Sequence, residues 1–366
     1  MSSENAEKNG DYFPPPESQG GWRVLADEGA VAATGGMDPA GLRQLRDFHL
    51  KSYGSHSWSI VVICRGWLVA EYCTFNVLKS TRFDIWSGTK SFTGTAWGLL
   101  LDDSRGSRTK RTLELDSPAY RYIPEGHPLT DERKKRISIR HLLCMTSGVP
   151  GNDATGGVAA DPGSGEIEFA LGLGPNRLGR MADRLAAEPG SAWDYSDAAF
   201  IHLALAFRNV AGRELSDYLR ERVFDPTGIE SVCWDVQGGS GKMGPHTNAH
   251  SGIHITARDL ARFGYLMLSR GKWGAKQIVP EWWIDLCTKP SQSLNRHYGY
   301  TWWVNTEKGT RWDSSVPLDA FSLSGYRCNR CYIVPSLDLV AVRVGSGPEQ
   351  WDEKEFVRQA VECARR

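Results

Sequence analysis

Apolar residues recur at helical spacing along much of this chain, and near each end the period changes to that of strands. Asp38-Pro39-Ala40-Gly41-Leu42 puts a capping aspartate before a proline and predicts a helix to about Ser52. Ser59–Cys64 and Trp67–Tyr72, joined at Arg65-Gly66, predict a β-hairpin. Phe92, Ala96, Leu99 and Leu100 share one helical face and predict a helix just after Ser87–Lys90. Thr256–Leu268 predicts an amphipathic helix with Leu260, Phe263 and Met267 on one side, and Pro280–Cys287 a shorter one. Tyr298–Val304 reads as a strand. Tyr326–Val334 and Leu337–Val344, around Pro335-Ser336, read as a second hairpin, and Glu349–Cys363 as a closing helix.

Between these ends the pattern differs. From residue 103 to about 250 the chain is rich in Gly, Pro and charge, with helices at Ile139–Gly148, Ala198–Leu205 and Leu215–Phe224. Gly151–Gly174 reads as a loop able to form a lid or pocket wall. The expected fold class is therefore α+β: an antiparallel sheet built from both ends of the chain, flanked by helices, with a mainly helical insertion. The expected division is a flexible tail over 1–20, a sheet domain from 21–90 and 250–366, and a helical domain over 91–249, with the site in the cleft between them.

Composition narrows the functional classes. Lys+Arg and Asp+Glu are both 43 in 366 residues, so no electrostatic footprint for nucleic acid is expected. No apolar run approaches a membrane span. Met1–Lys8 is polar, without the apolar centre of a signal peptide, so a cytoplasmic location is expected. The eight cysteines are then expected to be reduced. Cys328 and Cys331 lack a second pair for zinc and read as strand residues. His246, His250 and His254 have ligand-like spacing, but Gly252 interrupts them and Gly244-Pro245 precedes them, so no metal is expected. Fourteen tryptophans suggest that some line a pocket.

Candidate chemistry centres on Ser87 and Lys90, one turn apart at the start of a predicted helix. A capping serine is ordinary there. A first-turn lysine opposes the helix dipole, and activation of the serine would supply a reason for it. A second candidate is Trp193-Asp194-Tyr195-Ser196-Asp197, where Tyr195 precedes a helix. A third is Phe321–Tyr326, where Gly325 would let a strand approach a ligand closely. No G-x-S-x-G is present, which disfavours an α/β-hydrolase.

In order, Ser87-Gly88-Thr89-Lys90, Tyr195-Ser196-Asp197 and Leu323-Ser324-Gly325 resemble the S-x-x-K, Y-x-N and [K/H]-[S/T]-G motifs of the serine β-lactamase and penicillin-binding protein superfamily. The resemblance is to its class C branch, which includes family VIII carboxylesterases, D-aminopeptidases and 6-aminohexanoate-dimer hydrolases. Ile139–Gly148, Glu188-Pro189-Gly190, Ile255–Ala261 and Ile333–Val340 extend the similarity over roughly 38–364. It implies a β-lactamase/transpeptidase-like fold with Ser87 as acylated nucleophile and Lys90 with Tyr195 as base. It further implies an oxyanion hole from the N–H groups of Ser87 and Tyr326, in a third motif with Ser324 and Gly325, and no cofactor.

Two departures matter. Asp197 stands where the family has Asn, and two readings stay open: a helix cap, or a carboxylate that keeps Lys90 charged and leaves Tyr195 as base. Leu323 stands where β-lactamases carry a cation that seats a substrate carboxylate; Arg327 or Arg330 is a possible substitute. An uncharged ester is therefore the expected substrate, with Trp193, Trp234, Trp302, Trp303, Tyr326 and Leu323 as candidate pocket walls. The alternatives are an amide hydrolase for short oligomers or D-aminoacyl amides, a β-lactamase, and a relative that binds ligand without turnover.

Overall fold

The computed structural model describes residues 12–106, 113–157, 165–239, 243–348 and 351–364. Its framework is an antiparallel sheet of strands β1 (Trp58–Cys64), β2 (Trp67–Cys73), β3 (Trp303–Val304), β4 (Phe321–Gly325), β5 (Asn329–Val334) and β6 (Leu339–Gly345). The order is β3-β4-β5-β6-β1-β2, so β1, from the first part of the chain, pairs with β6, from the last. This is the β-lactamase/transpeptidase-like arrangement expected. All seven residues of β1 are buried, because both faces of the sheet are covered, and such a strand reads as an apolar run.

Helix α1 (Pro39–Tyr53) and the closing helix α5 (Glu353–Cys363) cover one face, where Leu42, Leu45, Phe356 and Val361 meet Ile60 and Val62. Helices α2 (Thr89–Arg105) and α4 (Ala257–Leu268) lie on the other. There α4 approaches the strands so closely that a Cβ on Gly264 would stand 2.7 Å from Cys331 Sγ and from Val340 Cγ1. Between β2 and α4 the chain is mainly helical around α3 (Asp197–Ala211), and one apolar cluster runs from the sheet through α2 into that region.

Several elements differ from expectation. Helix α2 is buried from Thr89 to Leu101 on every side, not along a stripe. Two of its buried hydroxyls bond to backbone carbonyls of neighbouring segments: Ser91 Oγ donates to the Thr301 carbonyl at 2.7 Å and Thr93 Oγ1 to that of Ala249 at 2.8 Å. The predicted strand over Tyr298–Val304 shrinks to Trp303–Val304, while Phe321–Gly325 forms a strand of its own. Of the expected tail, residues 1–11 lie outside the described residues, but 12–20 are pinned to α4. Arg262 donates to the carbonyls of Pro14 (2.9 Å) and Pro15 (2.5 Å), and Glu17 accepts from Arg258 (2.7 Å) and Arg262 (2.8 Å). Of the expected Gly151–Gly174 loop, residues 158–164 lie outside the described residues, and the described parts hold short helices at Asn152–Thr155 and Glu166–Leu171 instead of loop throughout.

None of the eight cysteines forms a disulfide, and Cys331 lies in β5 while Cys328 lies in the turn before it. The three spaced histidines go to separate partners. His246 meets Glu214 at 2.9 Å, His254 meets Asp235 at 3.0 Å, and His250 faces Asp197. Among the described residues, no helix is long and apolar enough to cross a membrane.

Candidate active site

Ser87 sits in a tight turn over Trp86–Gly88 that leads straight into α2. Asp84 Oδ1 accepts from the Trp86 N–H at 2.7 Å, and Ile85 N donates to the Ile253 carbonyl at 2.9 Å. Between these anchors Trp86 takes a φ of +49°, in a region that bulky residues rarely adopt. Strain of this kind persists only where the surroundings enforce it, and it gathers at functional sites.

The third motif closes against this turn. A Cβ on Gly325 would lie 1.9 Å from the Ile85 carbonyl oxygen and 3.2 Å from Gly88 N, so only glycine lets β4 come this near. Leu323 lies beneath, with its Cδ1 3.0 Å from where a Gly88 Cβ would be. The ring of Tyr326 stands edge-on to Trp86, centroids 5.5 Å apart.

Lys90 is 2% exposed, and its Nζ donates to Ser87 Oγ at 3.0 Å, Asp197 Oδ1 at 2.5 Å and the His250 carbonyl at 2.9 Å. It also lies 4.9 Å from the centre of the Tyr195 ring. Burial works to discharge this lysine, but the Asp197 carboxylate and the Tyr195 phenol outweigh it and raise its pKa above the usual value. Burial likewise works to raise the Asp197 pKa, and the Lys90 ammonium overcomes it, so the carboxyl lies below its ordinary range. His250, 3.9 Å away through Nδ1, is held neutral by burial, with its pKa lowered to about 4.

Asp197 is not the helix cap. Ser196 fills that role, its Oγ accepting from the Ala199 N–H at 3.2 Å, and Asp197 is the first residue of α3. Its side chain is thereby free to face Lys90. The segment carrying Tyr195 is tied to the loop after Ile139–Leu143: Asp194 N donates to the Met145 carbonyl (2.9 Å), Gly151 N to Asp194 Oδ2 (2.8 Å) and Ser196 Oγ to the Pro150 carbonyl (3.0 Å). Sequence reasoning passed over Asn152, which opens the short helix Asn152–Thr155 after this loop. It donates through Nδ2 to Asp197 Oδ2 and accepts the Asp197 N–H through Oδ1, both at 2.9 Å. The one available signal was its place just after Ser147-Gly148-Val149-Pro150.

The candidate pocket walls divide. Trp193 and Trp303 are half-buried and extend an aromatic group from Tyr195, with Trp193 6.4 Å from Tyr195 and 6.3 Å from Trp303. Tyr326 is 54% exposed at the rim. Trp302 and Leu323 are completely buried, so neither presents a wall to a ligand; Trp302 packs between Phe263 and Phe321. Trp234 is directed to Phe224 and the Asn248 carbonyl rather than to the aromatic group at Tyr195. Of the two arginines, Arg330 is committed to Glu353 at 2.9 Å and the Gly325 carbonyl at 2.7 Å. Arg327 lies exposed, 5.9 Å from the ring centres of both Trp86 and Tyr326.

Ser87 and the buried Lys90 thus lie at the foot of an interior helix with Gly325 of β4 against them, in a β-lactamase/transpeptidase-like fold. The Beta-lactamase family model matches residues 42–361, and the chain belongs to that family. An uncharacterised protein of Alkalihalophilus pseudofirmus is 26% identical over 278 residues, 73% of this chain and 74% of that one. The chain spans only 27% of the length of Staphylococcus aureus protein Flp, to which it is 28% identical over 152 residues, 40% of this chain. Two solved structures share the fold. One, from Bacteroides dorei and assigned as a beta-lactamase, has a TM-score of 0.70 at 16% identity, covering 90% of this chain and all of that one. The other, from Bacillus anthracis and assigned as a 6-aminohexanoate-dimer hydrolase, has a TM-score of 0.68 at 20% identity, covering 96% and 89%.

Proposed function

We propose that this protein hydrolyses carboxylic esters through an acyl-enzyme on Ser87. The observation that carries the reading is Lys90 Nζ, 3.0 Å from Ser87 Oγ and 2.5 Å from Asp197 Oδ1. A lysine so paired stays an ammonium and is a poor proton acceptor. It is well placed to stabilise a phenolate on Tyr195, and that phenolate takes the serine proton as Oγ attacks the ester carbonyl. The N–H groups of Ser87 and Tyr326 receive the oxyanion. Tyr195 returns the proton to the departing alkoxide, then draws one from the attacking water and hands it to Ser87 Oγ as the acid is released, which restores the phenolate.

An uncharged ester fits because the position of the family's carboxylate-seating cation is a buried leucine, and Arg330 is already paired. The half-buried Trp193 and Trp303 favour an apolar or aromatic group beside Tyr195. The amide alternative draws on the name of the Bacillus anthracis neighbour.

A fluorophosphonate probe is expected to label Ser87 in the parent and not in Ser87→Ala. Absence of labelling would leave a ligand-binding relative as the reading. Parallel assays with p-nitrophenyl butyrate, a short ω-amino-acid amide and nitrocefin separate the substrate classes. Brisk nitrocefin turnover without ester turnover would overturn the ester assignment.

A further inference from the structure

Asn152 lies outside the serine–lysine–tyrosine group, yet most of its polar atoms serve that group's supports. Its backbone N–H donates to the Tyr195 carbonyl at 2.7 Å, and its side chain makes the two 2.9 Å bonds to Asp197. One oxygen of the Asp197 carboxylate therefore takes the Lys90 ammonium while the other takes Asn152 Nδ2. A carboxylate gripped on both oxygens has one orientation. Released on one side, it can turn about its own axis and lose its aim at Lys90.

We propose, resting on the ester-hydrolase reading above, that Asn152 is a positioning residue: it aims the Asp197 carboxylate at Lys90 and sets the backbone of Tyr195 in the same grip. The charged and titratable groups facing this carboxylate are few. Lys90 comes from α2, Tyr195 from the segment before α3, His250 from the segment after His246, and Tyr298 from the chain before β3. His250 is neutral above about pH 4, and burial holds the Tyr298 phenol protonated well above its usual value. Within this set the Asp197 carboxylate does most, ahead of Tyr195, to hold the buried lysine charged, so its aim matters.

The test is the rate of fluorophosphonate labelling at Ser87 across pH for the parent, Asn152→Ala and Asn152→Asp, with a thermal melt of each. The reactive form carries Lys90 as an ammonium, so the basic limb reports its loss. In Asn152→Ala the carboxylate loses its aim, the ammonium is held less firmly, and the basic limb moves down by about one pH unit. Asn152→Asp keeps an acceptor for the Asp197 N–H but puts a carboxylate where Asp197 Oδ2 had a donor. Repulsion turns Asp197 away from Lys90, so the basic limb of this variant also moves down by about one unit, with slower labelling at neutral pH. Limbs that superimpose on the parent's, whatever the melts show, reduce Asn152 to a loop tether and overturn the proposal. If Asn152→Ala fails to fold, Asn152→Asp decides alone. A parent that is not labelled at all sinks the ester-hydrolase reading itself, a different result from unshifted limbs.

Discussion

Lys90 Nζ and Asp197 Oδ1 stand 2.5 Å apart on two helices that meet across 107 residues of sequence. Their side chains are 2% and 15% exposed, so this is an ion pair taken largely out of water. Such pairs add little net stability over an apolar replacement, but removing one partner strands the other and costs about 3–5 kcal/mol. The pair is better understood as setting a protonation state than as holding the fold together.

Asp197→Asn keeps the shape and removes the charge. With the carboxylate gone, burial acts on Lys90 with less opposition and its pKa falls. The basic limb of the kcat/KM profile is expected to move to lower pH, and superimposable profiles would return Asp197 to a packing role. Stability should change at both ends. The Asp197 contribution, from a depressed pKa, is present above the unfolded carboxyl's value and lost as pH falls through the folded value. The Lys90 contribution, from a raised pKa, is present below the unfolded amine's value and lost as pH rises through the folded one. Melting curves of Asp197→Asn at several pH values should lack both trends.

Tyr195 is half-buried, with its ring 4.9 Å from Lys90 Nζ. Tyr195→Phe keeps the ring and removes the oxygen. Ester turnover is expected to fall by about 10²–10⁴-fold, the range for loss of a general base. The melting midpoint should barely move, because a single surface-reaching hydroxyl costs within about 1 kcal/mol. A variant that retained near-parental kcat would assign the proton transfer to Lys90.

Gly325→Ala tests the approach of β4 to the nucleophile turn. The new methyl would meet the Ile85 carbonyl at 1.9 Å, so one backbone must retreat. Overpacking of this kind costs about 1–3 kcal/mol. A shift of about 1 Å in the Ser87 turn is expected to lower kcat roughly 10²-fold. Unchanged turnover would mean that the turn does not depend on this contact.

Three buried histidines make stability fall in mild acid. His49, His202 and His250 are each 0–3% exposed, and burial lowers each pKa from 6.5 to about 4. Such a group contributes fully above pH 6.5, and its contribution is lost as pH drops from 6.5 towards 4, by up to about 3 kcal/mol per site. His202 bonds to the Ala198 carbonyl and the Tyr120 hydroxyl, both at 2.8 Å. His202→Gln should therefore flatten the slope of unfolding free energy against pH in that window by about one proton. An unaltered slope would exclude His202 as a source.

Local signals made much of the fold legible. Apolar runs around Arg65-Gly66 marked β1 and β2 to within a residue, and Asp38-Pro39 marked the start of α1. Ser87, Lys90, Tyr195 and Gly325 stand out through the resemblance of their ordered motifs to those of a family, and the fold brings them together. What escaped depends on long-range contacts. Asn152 opens the four-residue helix Asn152–Thr155 in a glycine-rich stretch, and its partner Asp197 is 45 residues away. Asp197 read equally well as a cap because Ser196, beside it, has the same capping chemistry. Trp302 and Trp303 are adjacent and chemically alike, yet the first, just before β3, is completely buried against Phe263 and Phe321, and the second, in β3, is half-buried.

Leu323 gives the sharpest separation between this chain and the β-lactamases it resembles. If the cation of the third motif were all that is missing, Leu323→Lys would bring nitrocefin turnover. The surroundings argue against that outcome. Leu323 is fully buried, and it packs under Gly88 in the same apolar cluster as Ile85 and Phe92. An ammonium there has no evident partner, and burying it would cost several kcal/mol or force the lysine to shed its proton. Leu323→Lys is therefore expected to melt well below the parent, to lose ester turnover, and to gain no nitrocefin activity. A stably folded variant that hydrolysed nitrocefin would show that the strand can turn this side chain into the cleft, and that the ester preference rests on a single residue.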